Sequence, residues 1–119
     1  MSARVKGYIC FYADHMANDF VSIDDEVFME FEQILATLQS GVLEYPKNIW
    51  GIIDEKGNSL QFFVNDDGTI EMNISVPEKF GSYTKAIEFP ECYAIVSQAH
   101  QYFENIDMDD AEFSGWWVD

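Results

Sequence analysis

Residues able to carry proton transfer, metal ligation or nucleophilic attack are few in this chain. His15 and His100 are its only histidines, and Cys10 and Cys92 its only cysteines. Acid–base catalysis near neutral pH asks for a histidine held by a partner group. His15 lies in the polar stretch Asp14–Asn18 and His100 on the apolar face of a predicted helix, so neither stands in a catalytic constellation. A zinc site asks for paired Cys or His ligands at short spacing, and the two cysteines are far apart in the chain. Two packed thiols in a reducing compartment are the expectation. No H-E-x-x-H, G-x-S-x-G or glycine-rich phosphate loop followed by lysine occurs. Asn65-Asp66-Asp67-Gly68 lacks the alternating acids and distant bidentate glutamate of a calcium loop, and reads as a hairpin turn. No catalytic, cofactor-binding or metal-binding residue is assigned, and the chain is expected not to be an enzyme.

Carboxylates are the exception to this scarcity. The chain carries 22 Asp and Glu against 6 Lys and Arg, a formal net charge of −16, with no Lys or Arg between Lys6 and Lys47 or after Lys85. Such a field repels nucleic acid phosphates and anionic lipid and attracts basic proteins. A basic protein partner is therefore predicted, with no direct nucleic acid contact and no membrane contact. Its predicted site is the acidic segment Asp107, Asp109, Asp110 and Glu112 with Trp116 or Trp117 as aromatic anchors, aided by the turn acids Asp66 and Asp67. The rival is the stretch Asp14 to Glu32, where Asp24, Asp25 and Glu26 crowd a predicted helix start. Acids there already have a structural role against the helix dipole.

These residues must be positioned by a small fold. At 119 residues the chain is long enough for one domain, 1–119, and too short for two cores. A content of 48% hydrophobic and 16% aromatic residues marks a folded object rather than a disordered acidic tail. No apolar run approaches the roughly 20 residues of a membrane span, and the first residues lack a secretory apolar stretch, so a cytoplasmic protein is expected. Arg4–Ala13 reads as a strand with two apolar faces, Val5, Gly7, Ile9 and Phe11 on one and Tyr8, Cys10 and Tyr12 on the other. Val27, Phe28, Phe31, Ile34, Leu35 and Leu38 recur at helical spacing, predicting a helix over Ser22–Ser40 with Gly41 as its stop.

A meander follows: strands at Asn48–Asp54, Ser59–Val64, Thr69–Val76 and Tyr83–Phe89, with Asp-Gly at one turn. Pro90 opens a second helix to Asn105, and Gly115–Val118 is a last edge strand. The fold class is α+β: a mainly antiparallel sheet, a meander of about four strands plus edge strands, with two main helices on one face. Phe31, Leu35, Ile74 and Phe103 are expected in the core.

The blocks Ser59-Leu60-Gln61-Phe62-Phe63-Val64, Thr69 to Val76 and Phe80-Gly81-Ser82-Tyr83 resemble a large family of polymorphic-toxin immunity proteins. The likeness continues through a helix ending Ala99-His100-Gln101-Tyr102-Phe103 and a tryptophan near the C-terminus, Trp116 or Trp117, as an order of elements over roughly residues 20 to 119. The resemblance implies a bacterial protein that binds and neutralises a cognate nuclease or nucleic-acid deaminase toxin. The acidic Asp107–Glu112 stands where such proteins often carry a basic or proline-bearing link. The alternative is a DNA-mimic inhibitor of a restriction or CRISPR complex, which would need its acids laid out in rows at phosphate spacing.

Overall fold

Alternating apolar residues on successive strands meet across one continuous antiparallel sheet. The computed structural model describes residues 5–116. Their order is β1 (Gly7–Asp14), β2 (Asp19–Val21), β3 (Phe28–Glu30), α1 (Phe31–Leu38), β4 (Ile49–Ile53), β5 (Ser59–Val64), β6 (Ile70–Val76), β7 (Gly81–Ile87), α2 (Phe89–Ser97) and β8 (Glu112–Gly115). The sheet runs β2-β1-β4-β5-β6-β7-β8, with β3 also paired to β1. Because β4 occupies one side of β1, β2 and β3 share the other, one at each end.

Cross-strand rows such as Cys10–Ile52–Leu60–Ile74 and Tyr12–Trp50–Phe62–Met72 place their side chains on a single face. Ile34 and Leu38 of α1, Cys92 and Val96 of α2, and the later Phe103 and Ile106 close over that face to make the core. Trp50, fully buried, stacks on Phe62 at 5.8 Å and donates its indole N–H to Thr37 Oγ1 of α1 at 3.0 Å. Burying each such large side chain stabilises the fold by about 1.5–3 kcal/mol. The α+β class, the antiparallel sheet and two helices on one face are thus as the sequence pattern predicts.

The hairpin turns are also where the sequence puts them. Gly57 and Gly68 take positive φ (83° and 88°), which a side chain would oppose. In β6, Ile70, Met72, Ile74 and Val76 are buried while the alternate residues are half-buried.

Two helices are shorter than predicted. Residues 22–30 are not α-helical: Ser22 caps a single 3-10 turn, Ile23–Asp25, and Phe28–Glu30 is strand. The reason lies in β1, whose free edge supplies better partners than a helix would. Cys10 N donates to Val27 O at 2.9 Å and Phe31 N to Lys6 O at 2.8 Å. Period 2 then replaces period 3.6, so Met29 enters the core while Phe28 and Glu30 on either side of it are exposed. Likewise α2 stops at Ser97, and Ala99 adopts a left-handed φ of 53°. Residues beyond it fold back, with Tyr8 Oη donating to His100 O at 2.6 Å and a 3-10 turn at Phe103–Asn105. Ile74 and Phe103 are fully buried as predicted, whereas Phe31 and Leu35 are only half-buried at the edge of the core. The last strand lies at Glu112–Gly115, ahead of the predicted Gly115–Val118; Arg4, Trp117 and Val118 lie outside the described residues.

Candidate protein-binding surface

The predicted C-terminal site occupies one edge of the sheet. Asp107 Oδ1 accepts the Asp109 amide at 3.0 Å and Ala111 N donates to Met108 O at 2.9 Å, so the acidic segment is a tight turn. Met108 points inward against the core and leaves Asp107, Asp109 and Asp110 exposed. Glu112 then opens β8 opposite Thr84 of β7. Phe113 packs on Tyr83 at 4.9 Å, and Trp116 N donates to Phe80 O at 2.7 Å. Phe80, Phe113 and Trp116 are 55%, 45% and 48% exposed, so aromatic anchors do stand beside the four acids. Trp117, the other predicted anchor, lies outside the described residues. Cations share the neighbourhood: the Lys79 ammonium is 3.2 Å from the Tyr83 hydroxyl, and Lys85 follows Thr84, the partner of Glu112, on β7.

Asp66 and Asp67 are not part of this edge. They lie in the β5–β6 turn, beyond Ile70, whereas Glu112 is aligned through Thr84 with Asn73. At about 3.3 Å per residue, Thr69 is roughly 13 Å further along the strand. Asp67 serves the turn itself: Thr69 donates to it through hydroxyl (2.7 Å) and amide (3.0 Å), which holds its carboxyl below the ordinary range.

Two acids are buried and structural. Asp14 Oδ1 accepts Asn48 Nδ2 and the Ala17 amide, both at 3.1 Å. Asp54 accepts the Lys56 and Asn58 amides, the Asn58 side chain and the Phe103 amide. Among the described residues a single ion pair forms, Lys56 Nζ to Glu104 Oε1 at 2.7 Å, which lowers the Glu104 carboxyl and raises the Lys56 ammonium. The acidic surplus is therefore not consumed inside the molecule.

The histidines are apart and differently engaged. His15 is exposed, its ring 5.5 Å from that of Phe20. His100 lies past the end of α2 rather than on the predicted helix face. It is half-buried, with Nε2 2.8 Å from Gln98 Oε1, and desolvation lowers its pKa. Among the described residues no three His, Cys, Asp or Glu converge as a metal site, and no helix is long and apolar enough to cross a membrane.

The chain matches no family model, no curated protein and no solved structure. Its surface is then the source of any functional reading, and that surface has a second notable region.

Both helices pack on one face, so the opposite face of the sheet is free of helix. Across β5–β8 this face has the small polar residues an antiparallel sheet shows to water, including the row Ser59–Ser75–Ser82–Ser114. Across β1, β4 and their neighbours it is apolar. Ile9 lies between Phe28 and Ile53, and Ala13–Ile49–Phe63 forms a second row. Phe20 flanks Ala13 at the edge. Phe28, Phe20 and Phe63 are 60%, 52% and 37% exposed. Sequence reasoning did not single out this half-face, although the doubly apolar β1 pattern was its signal.

Gly51 shapes the middle of it. A Cβ there would lie 2.2 Å from Phe11 Cζ, so the ring rests directly on the glycine backbone and is thereby buried. Gly51→Ala is expected to lift the Phe11 ring and cost about 1–3 kcal/mol of overpacking. Urea unfolding measures the loss. A cost below about 0.5 kcal/mol would mean the ring has room to move.

Proposed function

We propose that this protein binds and neutralises a basic protein, and that the partner is a nuclease or nucleic-acid deaminase toxin against which it confers immunity in the cytoplasm. The observation that carries this reading is the charge balance of the surface. Among the described residues two acids are buried in structural networks and a single ion pair forms, so most of the negative charge of those residues faces outward. Toxins that act on nucleic acids hold phosphates in basic clefts. A compact acidic domain draws such a cleft from a distance and pairs with it on contact. The Asp107–Trp116 edge supports this, because exposed aromatics interleaved with acids suit a protein interface better than an imitation of regularly spaced phosphates.

The test uses the purified protein and the toxin domain it protects against. Replacing Asp107, Asp109 and Asp110 with Asn and Glu112 with Gln should slow association about tenfold at low salt and flatten its salt dependence. Unchanged association rates with a folded variant would remove this edge from the interface. Failure of the unaltered protein to protect cells from any basic nuclease or deaminase toxin encoded beside it would overturn the immunity reading.

A further inference from the structure

We propose that the helix-free apolar half-face across β1, β4 and β5 is a docking surface for a basic partner, receiving an apolar patch of that partner which is itself rimmed by lysine or arginine. This rests on the reading of the protein as a binder of a basic protein, and goes beyond it by moving the centre of the contact away from the C-terminal edge.

Three features of the face point the same way. First, it has an interface's chemistry at its centre. Phe28, Ile9 and Ile53 form one row and Ile49 and Phe63 another, with Phe11 laid flat over Gly51 between them. An antiparallel sheet of this kind ordinarily turns polar residues to water, as β6–β8 do here with Asn73, Ser75, Ser82, Thr84 and Ser114. Contiguous exposed apolar side chains inside a polar surround mark a binding site. Second, the patch has relief. A hollow of about 670 Å³ opens beside it, lined by apolar Val5, Ile9, Phe28 and Ile53 and by the acids Asp54 and Glu55. A protruding apolar side chain of a partner fits such a hollow, and anchors seated in pockets dominate interface energies.

Third, the charges around it select the occupant. Glu30 stands on this face at the β3 end, opposite Gly7, and Glu71 stands opposite Phe63. Asp24, Asp25 and Glu26 are exposed in the loop between β2 and β3, on the same edge of the sheet. Lys6 is the one cation among the residues that line the hollow, against Asp54 and Glu55. A second copy of the chain would bring −16 against −16 and its own acids onto these. Self-association through this face is therefore opposed by repulsion, and nucleic acid is opposed by both charge and apolarity. A cationic rim around an apolar centre is the complement.

Phe20→Ser, Phe28→Ser and Phe63→Ser remove the exposed rings without touching the buried core. The probes are two synthetic peptides with the same number of lysines, one amphipathic with leucines and one with those leucines replaced by serine. The unaltered protein should bind the lysine–leucine peptide at least about tenfold more tightly than the lysine–serine one, a difference of about 1.4 kcal/mol. The triple Phe variant should lose that preference while still binding the lysine–serine peptide. Amide NMR shifts on the unaltered protein should move at Ile9, Phe11, Ile53 and Phe63. A preference that survives in the triple variant, or shifts confined to Asp107–Trp116, would overturn the docking surface and leave the basic-partner reading standing. No binding of either peptide at low salt would overturn both. Dimers of the unaltered protein in sedimentation that vanish in the triple variant would assign the face to a second copy instead, and also overturn the proposal.

Discussion

Between pH 9 and about 12 the two buried thiols are expected to lower folding stability by about 3 kcal/mol for each pH unit. Cys10 and Cys92 are fully buried, and burial pushes both thiols up from an ordinary value of 9.0 to about 12. Below pH 9 each thiol keeps its proton in both states, and the stability associated with the neutral buried thiols is fully present. Between 9 and about 12 the unfolded chain gives up those protons while the native protein retains them. The unfolded state then binds fewer protons, so stability must fall as pH rises. Each thiol contributes on the order of 1 kcal/mol per unit in that window, and the two together about 3.

Tyr8 steepens the loss from pH 10, since burial and then the charge of Asp54 raise its hydroxyl to about 12. Urea unfolding at stepped pH under reducing conditions measures the slope. The double variant Cys10→Ala, Cys92→Ala separates thiol ionisation from the general charging of an acidic protein: its slope should be flatter by about 3 kcal/mol per unit. Equal slopes in the two proteins would show that the thiols ionise in the native state at ordinary pH. The same burial keeps the native thiols nearly free of thiolate at neutral pH, which suits packing residues rather than nucleophiles.

How far such features are legible from the chain depends on whether local pattern and tertiary context agree. They agree in β6, where Ile70, Met72, Ile74 and Val76 bury one face and turns with Asn-Asp-Asp-Gly and Lys-Gly-Asn fix the hairpins. They disagree at Val27, Phe28 and Phe31, whose three- and four-residue spacing fits a helix as well as it fits interrupted strands. The decisive partner is the free edge of β1, more than fifteen residues away in the chain, which no local window contains. The end of α2 was hidden for a similar reason. Phe103 satisfies a helical stripe, but it reaches the core only after a left-handed residue at Ala99 and a return of the chain.

The surface shows the same division. The acids of Asp107–Glu112 and the aromatic Trp116 were visible as residues, and the β7–β8 ladder places them on one edge. Asp66 and Asp67 belong to another end of the sheet, which only the register reveals. The two apolar faces of β1 were equally visible, but which of them a helix would cover was not. Phe11 and Gly51 are forty residues apart and become a unit only when β4 lies against β1.

Removing the carboxyl of Asp54 is expected to destabilise the protein by about 3–5 kcal/mol. The side chain is buried at the end of β4 and works as a junction. Its Oδ1 accepts the Lys56 and Asn58 amides, each at 2.9 Å, which shapes the β4–β5 turn. Its Oδ2 accepts Asn58 Nδ2 at 3.0 Å and the Phe103 amide at 2.8 Å, which ties that turn to the segment after α2. In Asp54→Ala the buried Phe103 amide and Asn58 side chain lose their acceptor, and each unsatisfied buried donor costs about 1–3 kcal/mol. Asp54→Asn should be nearly as damaging, because an NH2 replaces one oxygen where only donors approach. Amide hydrogen exchange should localise the effect: protection at Phe103 and Ile106 should fall further than at Met72 in the centre of the sheet. An Asp54→Ala cost below about 1 kcal/mol would mean that water replaces the carboxyl without strain. Because Phe103 and Ile106 are the last core residues before the acidic turn, this junction also sets where Asp107, Asp109 and Asp110 stand. A folded Asp54→Asn protein should therefore lose affinity at the C-terminal edge even though none of the edge carboxylates has been changed.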